Sequence, residues 1–470
     1  MKPTQLFPFV SALALAACAA GPDYVAPTPP PAAAGPFTAA GPGVTAEVGT
    51  DQWWKLYDDP VLDGLVGDAL AANTDIRVAV ARLDRARAAL REAGADRLPG
   101  TGIAAGANYG RLPAGQRAPG ASREDWQVDG GLSVAYEVDL FGRVTRNIEA
   151  GRGDVGAAAA DADAMRVTVV SDTIAAYVDA AAAAEQLNVA TEVVELLDRS
   201  VALTTKRFEA GRANKLDVAR LAALRDQRKA DIPPLVARRQ AALFALATLT
   251  GRTPADLPAT ASARATTPRV VQPIPVGDGA ALLARRPDVR AAERRLAAST
   301  ARIGVATAAL YPQISLGGSV GSTGAGFGDI FGAGPLRWLL GPLINWTFPN
   351  QTAERARIAA ARADEQAALA TFDGTVLRAL QETETALSAY AQAIERRQAL
   401  VSARDAAATA VRIVRARQRE GTVDFLEVLD AERTFAATEA DVAASDAGIA
   451  AAQIALFRAL GGGWQVAAAQ

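Results

Sequence analysis

One organisation is written twice along this chain, and that duplication restricts its fold more than any single motif. Asn73-Thr74-Asp75-Ile76-Arg77 returns as Arg286-Pro287-Asp288-Val289-Arg290, with the aspartates 213 positions apart. Arg97-Leu98-Pro99 returns as Leu310-Tyr311-Pro312, again at 213. Arg207-Phe208-Glu209-Ala210-Gly211 is echoed by Arg417-Gln418-Arg419-Glu420-Gly421 at 210, and Ala247-Thr248-Leu249-Thr250-Gly251 by Arg458-Ala459-Leu460-Gly461-Gly462. Four echoes in one order identify a tandem repeat. A length of 470 residues would otherwise suggest several unrelated domains, and the repeat replaces that expectation.

Each copy has the same internal grammar. A helix is predicted from Pro60 to Asp96 and from Gly279 to Ala309 (279–309). Strict apolar and polar alternation then takes over. Leu132, Val134, Tyr136, Val138 and Leu140 fall on one face, opposite Ser133, Ala135, Glu137 and Asp139, which predicts a strand with one acidic, wet face. Ile314, Leu316 and Val320 alternate with Gln313, Ser315 and Ser319. Ile344, Trp346 and Phe348 do the same, and Ile103 to Tyr109 is a weaker case. Strands are therefore expected over about 101–111, 131–141, 313–321 and 338–348, with Gly/Pro-rich loops inside each pair. A soluble sandwich would alternate too, but an export signal and the lack of an apolar run long enough for a spanning helix favour transmembrane β-strands. Four strands are too few to close a barrel, so chains must pool them: two give eight, three give twelve.

After each strand pair the pattern becomes helical and stays so. Leu187, Val194, Val201 and Phe208, and later Leu380, Leu387, Ile394, Val401 and Ala408, recur every seven residues. Long coiled-coil helices are expected over 144–210 and 351–420, each reaching roughly 100 Å, followed by return helices over 213–250 and 423–460. A solid coiled-coil rod fits the helices alone; it leaves the intervening strands unexplained.

Composition closes other routes. The chain has no His, which excludes imidazole relays and His-ligated zinc, and a net charge of −2 gives no basic field for nucleic acid. Gly100-Thr101-Gly102-Ile103-Ala104-Ala105 has a dinucleotide-loop spacing but follows a helix and opens none. No cofactor, metal site or catalytic residue is predicted, and the chain is not read as an enzyme. The single Cys stands at the end of a short apolar run, in Leu15-Ala16-Ala17-Cys18. An ordinary signal peptide would discard it. As the only Cys, placed after small residues, it resembles a bacterial lipobox, which makes residues 1–17 a lipoprotein signal peptide and Cys18 the acylated first residue. By resemblance to lipoprotein sorting, Ala19 in place of Asp implies the outer membrane. Residues 18–50, with Pro22, Pro27 and Pro29 to Pro31, are expected to be a tether. The first repeat then covers 51–260, the second 261–464, and 465–470 is a tail.

At the far end of each long helix the chain turns, at Gly211 and Gly421. Asn214 to Asp217 and Asp424 to Glu427 have the cap-x-x-acid spacing of helix starts. Capping leaves Asp430 unexplained. These stretches complete a resemblance to the TolC/OprM-like outer-membrane efflux channels, in their lipoprotein (NodT-type) branch. It is carried by Gly21-Pro22-Asp23-Tyr24, Trp53-Trp54, Tyr136 to Arg143, Arg285 to Glu293, Gly421 to Arg433 and Ala459 to Trp464. The resemblance implies a mostly α fold with a β-barrel part: a homotrimer whose twelve strands form one outer-membrane barrel continued by a twelve-helix periplasmic tunnel. It also implies a periplasmic adaptor (membrane fusion) protein and an inner-membrane pump of the RND type as partners. Glu427 and Asp430, with Asp217 and Arg220 in the other copy, would form the periplasmic aperture. Register would let Arg220 pair with Glu427 or Asp430 of a neighbouring hairpin. A type I secretion duct and a coiled-coil adaptor lipoprotein are the alternatives, and the cargo stays open. One departure is Pro349-Asn350-Gln351-Thr352, where relatives usually carry a Gly-rich turn.

Overall fold

The computed structural model describes residues 19–47, 49, 52–111, 113, 115, 120, 122–324, 328, 336–420, 422–423 and 425–462. Cys18, the signal peptide, Gly421 and the tail 465–470 lie outside the described residues. Among those described there are six strands: β1 (Val44–Thr45), β2 (Gly100–Arg111), β3 (Glu124–Val138), β4 (Ile274–Pro275), β5 (Gln313–Gly324) and β6 (Leu336–Asn345). The α-helices are α1 (Pro60–Ala72), α2 (Thr74–Ala95), α3 (Arg143–Glu209), α4 (Lys215–Lys229), α5 (Ile232–Leu249), α6 (Gly279–Arg285), α7 (Pro287–Ala308), α8 (Thr352–Arg419) and α9 (Phe425–Ala459). Two compact units form. One takes Arg82–Ala158, Ala291–Asp373 and the N-terminal residues through Pro27; the other takes Thr28–Ala81, Ala159–Arg290 and the chain from Gly374 onward. Each unit draws on both repeats, so the repeat is a unit of sequence whose packing partners lie in the other copy.

In the first unit β2, β3, β5 and β6 make one antiparallel sheet in that order. Its register sorts residue types by face. Ile103, Leu132, Val320 and Trp338 stand side by side, as do Thr101, Val134, Gly318 and Leu340. Successive side chains point to opposite faces. The other face accordingly carries Gly102, Ser133 and Ser319 in one row, Gly106, Asp129 and Thr323 in the next, and Asn108 beside Gln127. Leu339 and Leu343 interrupt its polarity, Leu343 lying over the space left by Gly317. Apart from buried Val128, much of the apolar face is bare: Ile103 is 86% exposed, Trp338 75% and Leu340 76%. Such a face is unfavourable in water and suited to lipid.

Several strand boundaries differ from expectation, β5 also running on to Gly324 and β3 stopping at Val138, and two of the differences have a visible cause. β3 begins at Glu124 because its ladder with β2 continues to the pair Arg111 and Glu124. β6 ends at Asn345, since Trp346 turns away to donate its indole N–H to the Leu310 carbonyl at 3.1 Å. Gln351 donates to the same carbonyl at 2.9 Å, and Asn350 Oδ1 accepts from the Thr352 amide at 3.3 Å, so polar side chains tie down the joint where glycines were missing. The wet acidic face predicted for Glu137 and Asp139 is also corrected. Glu137 takes both Nε and Nη2 of Arg143 at 2.7 and 2.6 Å, and Asp139, past the strand's end, accepts from the Val144 and Thr145 amides at 2.9 and 2.8 Å. Both acids build the strand-to-helix joint by capping α3 and fixing its first residue.

The proline-rich start is docked, not a free tether. Ala20 N–H donates to Phe141 at 3.0 Å, Asp23 meets Arg146 at 2.6 Å, and the Tyr24 hydroxyl donates to Glu293 at 2.5 Å. Gly21, at φ +92°, sits so close to Gly304 that a Cβ would come within 2.5 Å of the Gly304 Cα. In the second unit Glu384 accepts from the Thr38 and Ala39 amides, each at 2.8 Å, and β1 pairs in parallel with β4. Proline restricts the unbound segment, which lowers the entropy lost on docking.

The helices predicted as single pieces at 60–96 and 279–309 are each broken. Asn73 is extended; its Oδ1 accepts from the Asp75 and Ile76 amides and its Nδ2 donates to the Leu249 carbonyl at 3.0 Å. At the equivalent break Arg286 is extended before Pro287 and donates to the Ala459 carbonyl at 3.0 Å. Each break thus ties to the last residue of a helix, Leu249 of α5 and Ala459 of α9. The return helix expected over 213–250 is also two helices, parted at Ala230 and Asp231 because Pro233 and Pro234 supply no N–H groups. Along α8, Phe372, Val376, Ala379, Thr383, Ala386 and Tyr390 are buried at alternating steps of four and three, the seam of a left-handed coiled coil. Against expectation, α3 and residues Leu426–Ala459 each hold an 18-residue window apolar enough to cross a membrane, with mean hydropathy 1.3 and 1.2. The α3 window is 78% buried within the chain, the mark of a core helix, and that in α9 is 50% buried. Trp53 anchors the same core, stacked on Phe457 at 4.3 Å.

Candidate functional site: the helical hairpin tips

The residues singled out as an aperture lie where α3 turns into α4 and where α8 turns into α9. Both turns use one backbone device. Arg212 N–H donates to the Arg207 carbonyl at 2.7 Å, and Thr422 N–H to that of Arg417 at 3.0 Å, six-residue closures that satisfy the last helical carbonyls. Gly211 has φ +70°, the left-handed conformation this ending requires. α4 then opens with a reciprocal cap: Asn214 Oδ1 accepts from Leu216 N–H at 3.1 Å, and Asp217 Oδ2 from Asn214 N–H at 3.2 Å. Asp217 is thereby engaged locally.

Glu427, in the first turn of α9, and Asp430, its sixth residue, are exposed, as is Arg220 on α4. Among the described residues none of the three makes an ion pair, and within one chain Arg220 meets neither acid. Beneath them is a small core of Leu197, Leu221 and Leu224, with Leu429 packed against it. Two residues beyond Asp430, Glu432 is only 3% exposed and accepts from Ser200 at 3.2 Å and from Arg415 Nε at 3.1 Å. This acid ties α9 to α3 and α8. Sequence reading passed over it, although it stands four residues after buried Val428, and a carboxylate on a buried stripe is itself a signal. The arrangement presents exposed charge at an end of paired helices, the carboxylates of Glu427 and Asp430 and the guanidinium of Arg220.

The model of the outer membrane efflux protein family matches residues 65–252 and again residues 280–462, following the duplication. Outer membrane protein OprJ of Pseudomonas aeruginosa is 33% identical over 456 residues, 96% of this chain and 94% of that protein. Nodulation protein T of Rhizobium leguminosarum is 30% identical, covering 93% of this chain and 92% of its own length. The solved outer-membrane channel OprN superposes with a TM-score of 0.88 at 37% identity, over 95% of this chain and all of that one. A largely uncovered apolar sheet face, duplicated long helices and a family match in both copies lead to one conclusion: the chain belongs to the outer membrane efflux protein family.

Proposed function

We propose that this efflux channel works as a homotrimer, anchored to the outer membrane by acylated Cys18, and conducts passively, without catalysis, what an RND-type inner-membrane pump and a periplasmic adaptor deliver. The observation that carries the reading is the four-stranded sheet with one largely bare apolar face and two open edges, β2 and β6. In lipid an open edge leaves amides and carbonyls without partners, so the edges must pair with other chains. Three copies of four strands make a closed twelve-stranded barrel; the number three comes from the family resemblance. From Trp126 to Val138 β3 advances twelve residues; at about 3.3 Å each and a tilt of about 40°, that spans roughly 30 Å, the hydrocarbon thickness of a bilayer. Aromatic pairs mark the sheet's two ends, Tyr109 with Trp126, and Phe141 stacked on Tyr311. In the periplasm, Glu427 and Asp430, with Asp217 and Arg220, line the aperture that the adaptor opens.

Purified acylated protein is expected to give stepwise ion currents in a planar bilayer, and a preparation that inserts without conducting would defeat the channel reading. Leu340→Arg, on the apolar face, should cost about 2–4 kcal/mol per chain and deplete heat-resistant oligomers on gels. Ser319→Arg, on the opposite face, should assemble normally and alter ion selectivity. Equal loss of oligomer in both variants would invalidate the assignment of faces.

A further inference from the structure

The polar face of the four-stranded sheet holds two opposite charges that do not meet. Asp129 on β3 is half-buried and Arg337 on β6 is exposed, and among the described residues neither makes an ion pair or a side-chain hydrogen bond. Arg337 stands opposite Gly321, and Gly321 opposite Gly131, two residues along β3 from Asp129. The guanidinium folds back over Gly321, its Nε 3.5 Å from where a Cβ would stand; the carboxylate leans the other way, Oδ1 3.4 Å from the Cβ position of Gly106 on β2. At about 4.8 Å between strands and about 3.3 Å per residue, the two heads lie roughly 8–10 Å apart, beyond the reach of an ion pair. Between them is a recess of about 470 Å³ floored by Gly131 and Gly321. The floor cannot be raised: a Cβ on Gly321 would come within 2.7 Å of the Gly130 carbonyl oxygen, and one on Gly131 within 3.3 Å of that of Val320. Ser133 and Ser319 border the recess with hydroxyls, the second without a partner among the described residues. Leu339, 67% exposed although it lies on the polar face, gives the recess an apolar wall.

We infer that this recess is a transit site for zwitterions: molecules with a carboxylate for Arg337, an ammonium group for Asp129, and a short hydrocarbon spine that lies against Leu339 and over the glycine floor. The Ser319 hydroxyl donates to the carboxylate, and that of Ser133, already donating to the Gly102 carbonyl at 3.2 Å, accepts from the ammonium. The inference rests on the channel reading, which turns the polar face towards a water-filled lumen. β3 and β5 are the inner strands of the sheet, so pairing of its outer edges with other chains leaves the recess open. Both charges keep water on one side, which makes each contact weak. Weak binding suits a conduit, since a site that holds its cargo tightly stops the flow. Repeated once per chain around the wall, the recess lengthens the dwell of a zwitterion over that of an ion of either sign.

The test uses the detergent-solubilised full chain and probes of matched length: 6-aminohexanoate, its N-acetyl derivative, which keeps only the anion, and 6-aminohexanamide, which keeps only the cation. Saturation-transfer NMR should show 6-aminohexanoate bound about fivefold more tightly than either, the advantage shrinking as salt rises from about 50 to about 300 mM. Asp129→Asn should bring its binding down to that of the N-acetyl probe, and Arg337→Gln down to that of the amide. Asp125→Asn, on the same face but outside the recess, should change neither. Equal binding of the probes by the wild type overturns the inference, as does a zwitterion preference that survives both Asp129→Asn and Arg337→Gln. The N-acetyl probe bound as well as 6-aminohexanoate would also overturn it, in favour of a simple anion site at Arg337. Planar-bilayer currents from the same samples separate the two failures: a silent wild-type protein sinks the channel, whereas a conducting one without the preference sinks only the transit site.

Discussion

Asp59→Ala is expected to lower unfolding free energy by about 3–5 kcal/mol, because it strips a buried charge network of its centre. Asp59 is 5% exposed and caps α1, its Oδ1 accepting from the Val61 and Leu62 amides at 3.0 and 3.3 Å. Its Oδ2 accepts from the Tyr177 hydroxyl at 2.8 Å and from Arg264 at 2.6 Å. Removing the carboxylate leaves orphan amides, a buried phenol and a guanidinium without its partner. Burial, then the bond to Asp59, pushes the Tyr177 phenol up to about 12, so the tyrosine stays a donor. Burial also works to raise the Asp59 carboxyl, but the bonds from Tyr177, Leu62 and Arg264 outweigh it and hold the carboxyl below its usual value. A depressed carboxyl contributes stability above its unfolded pKa of about 3.9, and that contribution is lost as pH falls through the lower folded value. Urea unfolding followed by circular dichroism should therefore show wild type losing stability below about pH 4 more steeply than Asp59→Asn, which retains a capping oxygen. Parallel curves for the two, or a cost for Asp59→Ala near zero, would show that the network contributes nothing.

This network shows where sequence reading stops. Asp59 and Arg264 are 205 positions apart, and no periodicity links them. The long helices were legible because their apolar residues recur locally, and the four strands because alternation is a nearest-neighbour property. Strand ends were not, since β3 starts where its partner β2 runs out and β6 ends where Trp346 finds a carbonyl. Glu137 and Asp139 look like a wet face in one dimension; only the fold reveals Arg143 and the start of α3 beside them. Proline stands at the break at Pro287 and just after that at Ala230 and Asp231, in Pro233 and Pro234, but an otherwise helical pattern runs through both places and concealed the breaks. The docked N-terminus misled for the opposite reason. A composition that rules out a self-packed core does not rule out docking onto a surface already made, as Asp23 and Tyr24 do.

Asp430→Ala is expected to raise closed-state conductance severalfold in planar bilayers and to abolish block by divalent cations. A cap cannot account for this residue, the sixth of α9, beyond the orphan amides of the first turn. In the proposed trimer, three such carboxylates held about 8 Å apart would repel by roughly 2 kcal/mol per pair at an effective dielectric of 20, and a cation lodged among them would relieve that repulsion. Glu427 is in a different position. A first-turn acid favours the helix N-terminus by about 0.3–1 kcal/mol, so Glu427→Ala should speed amide exchange at the start of α9 and leave conductance unchanged. A blocked, wild-type-like channel in Asp430→Ala removes that residue from the gate, and an opened one in Glu427→Ala moves the gate to the first turn. Arg220 decides what holds the tip closed. If it pairs with Asp430 of the next chain, Arg220→Glu opens the channel alone and Arg220→Glu combined with Asp430→Arg closes it again, because the swapped charges restore the pair. Failure of the double variant to restore closure would leave Asp430 as a cation ring without a cross-chain partner.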